Sequence, residues 1–403
     1  MDPTQVNQSG HSIRSVAFAG GGSGGHINAA LAIAEELRQQ APAIQLMFCI
    51  SDRAVDSAVL ATSDIADDAD LIVQTLLHSG HARRHPIQFC RQLLQAVRLC
   101  REQFLRSRPD VVVGVGGFAS APGMLAARRL KIPVVQVEQN CIPGRTTRWL
   151  SHLAVRTCTG LPVDGPHGRS LCRSQRTGVP LRKPDRRRSP NSHSRAAEVL
   201  ACNDRPILLI LGGSQGARRL NDLLLNAVRM CPQILQGWQV LHQTGVAEVE
   251  RIQIAWESVD ANASVVPFID DVDQAIQKSE LVVSRAGAMT ISEICRAGRP
   301  AILIPLGLSA DQHQQANAKH MLQSGAAAII DETNTDAAGQ LQRMLQALLN
   351  DRCERRAMAK MAEKLATPDA AADIVELILR TAAGTIQGSF TPSDWTTDTR
   401  DVA

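Results

Sequence analysis

A chain of 403 residues is too long for one ordinary core, so two domains are expected. Its formal charge of +4 and 3% aromatic content do not suggest a nucleic-acid partner, whose binders concentrate basic residues with stacking rings. Hydrophobic content of 44% and charged content of 20% are those of a globular protein.

The ten cysteines include no C-x-x-C pair, so neither a zinc knuckle nor a dithiol centre is supported. They read as reduced residues, several in apolar segments. Residues 1–13 are polar and lack the apolar core of a signal peptide. No apolar run approaches the roughly 20 residues of a spanning helix. The expectation is a cytosolic protein, with peripheral membrane contact left open.

Along the chain, Ser15–Ala19 predicts a buried strand, followed by the glycine turn Gly20–Gly25 and a helix from about Ala29 to Gln39. Strand, glycine turn and helix together open a doubly wound α/β domain. Gln45–Ile50, Val111–Val115 and Val134–Val137 read as further strands; their unbroken Val and Ile suit parallel strands covered on both faces. From about Gly160 to Asp204 the apolar periodicity stops and prolines and Arg186–Arg188 appear. That stretch reads as an interdomain connection with a mobile insertion. The opening pattern then recurs, with a strand at Ile207–Leu211, a turn at Gly212–Gly216 and a helix at Asn221–Met230. Strands at Gln239–Leu241, Val265–Pro267, Leu281–Ser284 and Ala301–Ile304 alternate with helical segments. Residues after about Ala383 are polar and read as a disordered tail.

Each glycine turn has a physical purpose. Without Cβ, the backbone can approach a phosphate and take positive φ. The next helix turns free N–H groups and its positive dipole end toward the anion. One such loop is weak evidence: glycines also tighten ordinary turns, and Asp52 could imitate the ribose-binding acid of a dehydrogenase. Two loops on two domains point instead to a diphosphate held in a cleft between them.

The motifs then become specific. Gly21-Gly22-Ser23-Gly24-Gly25-His26 resembles the G-G-T-G-G-H loop of the MurG family of glycosyltransferases, and Gly114–Gly123 resembles its second glycine loop. Glu138-Gln139-Asn140 with Pro143-Gly144 resembles the family's H-E-Q-N segment, with Val137 where His is frequent. Gly212–Arg218, His242–Gly245, Phe268–Asp271, Ser284–Glu293 and His313–Ala318 resemble further family blocks in the same order. The resemblance, from about residue 15 to 330, implies a GT-B fold: two Rossmann-like doubly wound domains facing across a cleft. It places an acceptor domain at 1–181, a UDP-GlcNAc domain at 182–365, a helix at 366–382 returning to the first domain, and a tail at 383–403.

The same resemblance implies an inverting transfer of GlcNAc from UDP-GlcNAc to the 4-hydroxyl of a lipid-linked muramyl peptide, in peptidoglycan synthesis. It implies that Glu293 accepts the ribose hydroxyls, whereas the bare sequence also allows a helix acid that complements the dipole. Ser214, Gln215 and adjacent amides would hold the phosphates, the main chain at Ile269 would meet the uracil edge, and Arg182 would lie near the nucleotide. The main chain at Ala288 would lie near the sugar, and Met289, Thr290, Ile291 and Ser292 would also line the donor. Gln314 and Asn317, three apart on one helical face, would bond the sugar. Val179 stands where Asn is common and Ala286 where Ser is common. On the acceptor side the resemblance implies Ser23, Gly24, Gly25 and Asn140, with His26 the candidate base. An imidazole at a helix N-terminus is disfavoured as a cation and can take a proton; the other reading is that His26 only positions acceptor or loop.

No D-x-D pair lies in the donor blocks, so neither cofactor nor obligatory metal is expected. Residues 76–107 combine His81, Arg83, Arg84, His85, Arg91, Arg98 and Arg101 with Ile87, Phe89, Leu93, Leu94, Val97 and Leu99. Such a stretch either lies on anionic headgroups or is a core helix with a solvated face. Expected partners are UDP-GlcNAc, the muramyl lipid, the cytoplasmic face of the inner membrane and other wall-synthesis proteins. The rivals are a UDP-GlcNAc 2-epimerase, an antibiotic- or lipid-modifying transferase, a sugar-nucleotide-binding scaffold and a dehydrogenase.

Overall fold

The computed structural model describes residues 13–61, 63, 65, 70–74, 85–163, 171, 174–181, 195–201, 205–212, 216–307 and 312–384. The first domain carries β1 (Ser15–Gly20), α1 (Gly24–Gln40), β2 (Gln45–Ser51), α2 (Ala54–Leu60), β3 (Asp70–Gln74), α3 (Pro86–Ser107), β4 (Val111–Gly116), α4 (Ser120–Arg129), β5 (Val134–Glu138), α5 (Arg145–Leu150), β6 (Arg156–Thr159) and β7 (Ser174–Arg176). The chain then crosses through α6 (Arg195–Ala201) into β8 (Ile207–Leu211), α7 (Arg218–Met230), β9 (Gln239–Gln243), α8 (Val249–Glu257), β10 (Ala263–Val266), α9 (Val272–Lys278) and β11 (Ser279–Ser284). The second domain continues with α10 (Ala288–Ala297), β12 (Ala301–Leu303), α11 (His313–Gln323), β13 (Ala327–Ile329), α12 (Ala337–Asn350) and α13 (Arg352–Leu365), before α14 (Ala370–Ala382).

The sheet orders are β3-β2-β1-β4-β5-β6-β7 and β10-β9-β8-β11-β12-β13. Every strand pair is parallel. Order reverses between β1 and β4 in one sheet and between β8 and β11 in the other. In such sheets the ligand crevice opens at the carboxyl ends of the strands beside the switch.

The leading strands β1 and β8 are buried throughout because both their faces are covered. Val16 and Phe18 join one core with Leu31 of α1, while Ala17 and Ala19 join another with Phe104 of α3 and Met124 of α4. In the second domain Leu209 and Leu211 divide in the same way from Leu208 and Ile210. Ile374, Val375, Leu377 and Ile378 of α14 share the core of Val16 and Phe18, so the last helix packs on the first domain.

The structure corrects several sequence expectations. The segment expected to be an interdomain connection with a mobile insertion contains β7 and α6; the arginine run at 186–188 lies outside the described residues, as does the tail from 385. β7 has all three residues exposed at a sheet edge, so it carries no apolar signature. α1 begins at Gly24 rather than near Ala29: glycine is a poor helix former, yet packing of the first turn overrides propensity. β10 stops before Pro267, which cannot donate to a ladder.

Candidate active site

At the first crevice, Gly21 and Gly22 carry the chain out of β1 with φ of 142° and 84°. Asp56, fully buried in α2, accepts the Gly22 amide at 2.9 and 2.7 Å on its two oxygens and also the Ser51 hydroxyl. Arg53 donates to the Gly22 carbonyl. This anchoring sets the start of α1, where His26 is the third residue and its Nδ1 lies 2.8 Å from Ser23 Oγ. Nothing in the sequence marked Asp56, because its partners come from two other segments.

The second glycine loop locks into the first. A Cβ on Gly116 would stand 2.9 and 3.0 Å from His26 Cδ2 and Nε2, and one on Gly117 would overlap the Gly21 carbonyl. These glycines, with φ of 99° and 71°, therefore make room for the imidazole and its loop. Burial holds the His26 ring below the ordinary histidine value; Glu138, Asp56 and a hydrogen bond with the Gly21 backbone oppose this, and His313 adds to the drop. A neutral imidazole at a helix N-terminus results.

Glu138, buried at the end of β5, organises the next loop. Its Oε1 accepts from Asn140 N at 3.0 Å and Asn140 Nδ2 at 3.1 Å, and its Oε2 from Gly144 N at 2.9 Å. Gln139 turns inward and donates to the Val115 carbonyl at 3.2 Å.

The second crevice is built from main chain supported by uncharged side chains. The Gly212 amide donates to Gln243 O at 3.1 Å, and Gly216, with φ of 76°, passes so close to Thr244 O that a Cβ would come within 2.6 Å. Gln243 Oε1 accepts the Ile269 amide at 3.0 Å. Behind it runs a buried relay. Trp256 Nε1 can only donate, so His242 Nδ1 accepts at 3.1 Å and His242 Nε2–H donates to Asn221 Oδ1 at 3.1 Å. Asn221 Nδ2 then donates to Thr244 O at 3.4 Å. Burial pushes His242 down to about 3, so it stays neutral.

In α10, Ala288, Ile291 and Ser292 are buried and Met289, Thr290 and Glu293 partly so. The helix has no acid in its first turn, and Glu293 sits in the second, away from the position a dipole-complementing acid takes. Burial pushes its carboxyl up to about 7; Asp273 adds to the rise and Arg296 opposes it. Arg285 pairs with Glu332 at 2.6 Å and donates to Ile304 O at 3.0 Å, while Glu332 accepts the Gly307 amide at 3.0 Å. Gln314 Oε1 accepts the Leu306 amide at 3.0 Å.

The two crevices face one another. A Cβ on Gly25 would lie 3.5 Å from Met289 Cγ across the cleft, so the first turn of α1 approaches the first turn of α10 at Gly25. Ile269 is buried with its amide already taken by Gln243, which leaves its carbonyl as the main-chain group to meet a ligand. Asn317 is fully buried: its Oδ1 accepts Cys141 N, and its Nδ2 donates to Asn140 Oδ1 and Ala286 O. Both its N–H bonds are engaged, so toward a sugar hydroxyl it can act only as acceptor. Arg182, Ser214 and Gln215 lie outside the described residues.

Comparison with known proteins agrees with this architecture. Residues 16–159 match the glycosyltransferase family 28 N-terminal domain, and residues 207–374 match the family 28 C-terminal domain. The UDP-N-acetylglucosamine--N-acetylmuramyl-(pentapeptide) pyrophosphoryl-undecaprenol N-acetylglucosamine transferase of Xanthomonas campestris pv. campestris strain 8004 is 35% identical over 385 residues, 94% of this chain and 85% of that one. The crystal structure of Acinetobacter baumannii MurG superposes with a TM-score of 0.71 at 29% identity, covering 91% of this chain and 99% of that one.

The chain belongs to the MurG family.

A UDP-GlcNAc 2-epimerase from Neisseria meningitidis, solved with UDP-GlcNAc, also superposes, with a TM-score of 0.62 and 14% identity over 91% of this chain and 99% of that one; this likeness concerns the fold alone. The three departures from the MurG pattern, Val137, Val179 and Ala286, are all buried. Each packs in an apolar core, Val137 in the first domain and the other two in the second. They replace polar groups with packing and leave His26, Glu138 and Glu293 in place.

Proposed function

We propose that the protein moves GlcNAc from UDP-GlcNAc to the 4-hydroxyl of undecaprenyl-diphospho-N-acetylmuramoyl-peptide, with inversion, to give lipid II in peptidoglycan synthesis. The observation that carries this reading is a near full-length relationship to that transferase in a chain that keeps a neutral imidazole on one side of the cleft and a carboxylate on the other. His26 takes the proton of the 4-hydroxyl as that oxygen attacks the anomeric carbon from the face opposite UDP. An α-linked donor then gives a β-linked product. Ser214, Gln215 and adjacent amides, with the N-terminus of α7, receive the charge that develops on the departing diphosphate. Glu293 accepts the ribose hydroxyls, Gln314 and Asn317 approach the sugar, and Asn140 and the 23–25 turn receive the acceptor diphosphate. Turnover needs no metal, so EDTA leaves it unchanged; loss of turnover with EDTA would overturn that point.

The first domain supplies a surface for the lipid. On α3, Ile87, Arg91, Leu94, Arg98, Arg101 and Leu105 fall on one exposed stripe, while Ala96, Val97, Cys100 and Phe104 pack inward. Trp149 of α5 stands 77% exposed. Among the described residues no helix is long and apolar enough to cross a membrane, and this mixed basic and apolar stripe supports peripheral attachment at the cytoplasmic face of the inner membrane. His81, Arg83 and Arg84 lie outside the described residues.

The deciding experiment follows labelled GlcNAc from UDP-GlcNAc to a short-chain muramyl diphospholipid. The expected result is equal release of UDP and labelled disaccharide lipid, absent without acceptor. Acceptor-independent isomerisation of UDP-GlcNAc would establish the epimerase instead; binding without turnover would leave a scaffold.

A further inference from the structure

One hydrogen-bonded chain crosses the cleft, and its polarity is fixed at both ends. At the first-domain end, Glu138 Oε1 accepts from Asn140 Nδ2, so the Asn140 oxygen faces the second domain. That oxygen accepts from Asn317 Nδ2 at 3.0 Å, between residues 177 apart in sequence. At the other end, the Cys141 amide donates to Asn317 Oδ1 at 3.0 Å, and Asn317 Nδ2 gives its second hydrogen to Ala286 O at 3.1 Å. Neither amide can flip without setting donor against donor and acceptor against acceptor. His313, one helical turn earlier on α11, adds a parallel link from Nδ1 to Ile142 O at 2.6 Å.

We propose that Asn317 is a positioning residue that straps the acceptor loop 139–142 to the donor turn 284–288, holding the two domains at their working separation. This deepens the proposed function, and rests on it for the names donor and acceptor. Three features support a strap. Asn317 is fully buried although its partners lie on two domains. Its amide hydrogens are both used by protein groups. And the chain ends on Ala286, two residues before the helix that carries Glu293, so a shift of the donor turn is transmitted to Asn140 without a side chain having to move. A buried, fully satisfied amide chain holds one geometry because every alternative leaves unpaired polar groups.

Asn317→Asp removes both N–H donors and sets a carboxylate against the Asn140 and Ala286 oxygens. Asn140→Ala cuts the same chain from the partly exposed side without touching α11. Small-angle scattering of the ligand-free chain is expected to give a larger radius of gyration for each variant. Each is expected to raise the KM for the muramyl lipid about tenfold, with the double variant no worse than the worse single one, because both break one chain. Thermal unfolding of each variant checks that it folds; if Asn317→Asp does not, Asn140→Ala carries the test alone. Unchanged scattering with additive effects overturns the strap, and so does a rise confined to the KM for UDP-GlcNAc, which would make Asn317 a sugar ligand only. A wild-type chain that transfers nothing sinks the transferase reading, while the scattering comparison still decides the strap.

Discussion

The two crevices share a strand order and a strand–glycine–helix opening, yet they are built for different work. In the first, the loop that leads into His26 is anchored at Gly22 by a buried carboxylate, Asp56, and Gly116 and Gly117 of a second loop press against that ionisable ring. In the second, the loop is pressed against a carbonyl, Thr244 O, held by a relay in which every member is neutral. An ionisable ring and the buried carboxylates Asp56 and Glu138 stand at the first crevice. Main-chain groups backed by a neutral relay stand at the second. A duplicated scaffold leaves such choices to the few side chains behind each loop.

The contrast can be broken most strongly at His26. If the ring takes the acceptor proton, His26→Ala lowers kcat by about a hundred- to ten-thousand-fold with a smaller change in the KM for UDP-GlcNAc. Retained kcat in a steady-state assay would reduce His26 to a loop-positioning group.

Among the described residues, Glu293 is the ionisable group of the donor side whose carboxyl is pushed furthest from its ordinary value. Its folded carboxyl lies near 7 against an ordinary 4.5, so between these values the folded chain keeps a proton that the unfolded chain has lost. This group's contribution to stability is therefore present at acid pH and is lost as pH rises through about 7. Donor affinity runs the other way, since only the ionised form accepts from both ribose hydroxyls. Glu293→Gln should raise the ligand-free Tm relative to wild type at alkaline pH and weaken UDP binding roughly tenfold to a hundredfold. Calorimetry on either side of neutrality reads both effects; a Tm difference that ignores pH would show that Glu293 does not titrate there.

The neutral relay should fail more mildly. Trp256→Phe leaves His242 Nδ1 buried without a donor, at a cost of about 1–3 kcal/mol, and raises the KM for UDP-GlcNAc more than it lowers kcat. Denaturant unfolding together with steady-state kinetics checks this. A loss of kcat with no change in KM would contradict the assigned support of the phosphate loop.

The smallest effect on chemistry should come from the lipid face. Replacing both Ile87 and Leu94 with Glu should weaken binding to anionic vesicles about tenfold or more while turnover on a water-soluble acceptor stays near wild type. Equal vesicle binding would return α3 to the role of an ordinary surface helix.

How much was legible beforehand differs along the chain. β1 and β8 were readable because strands buried on both faces are continuously apolar; β7, exposed at a sheet edge, was not. His26 and Glu293 could be picked out because they lie inside glycine-bearing blocks. Asp56 and the relay from Trp256 to Asn221 could not, since their partners are distant in sequence and a lone Asp or Trp has no periodicity. The spacing of Asn317 and Gln314 shows that they share a helical face, but not that Asn140, Cys141 and Ala286 stand opposite Asn317.

By itself, then, the sequence determined the two-domain parallel α/β plan and the family, because burial and backbone requirements leave local patterns. Only the tertiary structure decided that Gly116 and Gly117 enclose the His26 ring, that Asp56 and Glu138 tune it, and that Asn317 joins the two domains. Those facts depend on groups brought together from remote segments, whose hydrogen-bond direction and burial exist only once the chain has folded.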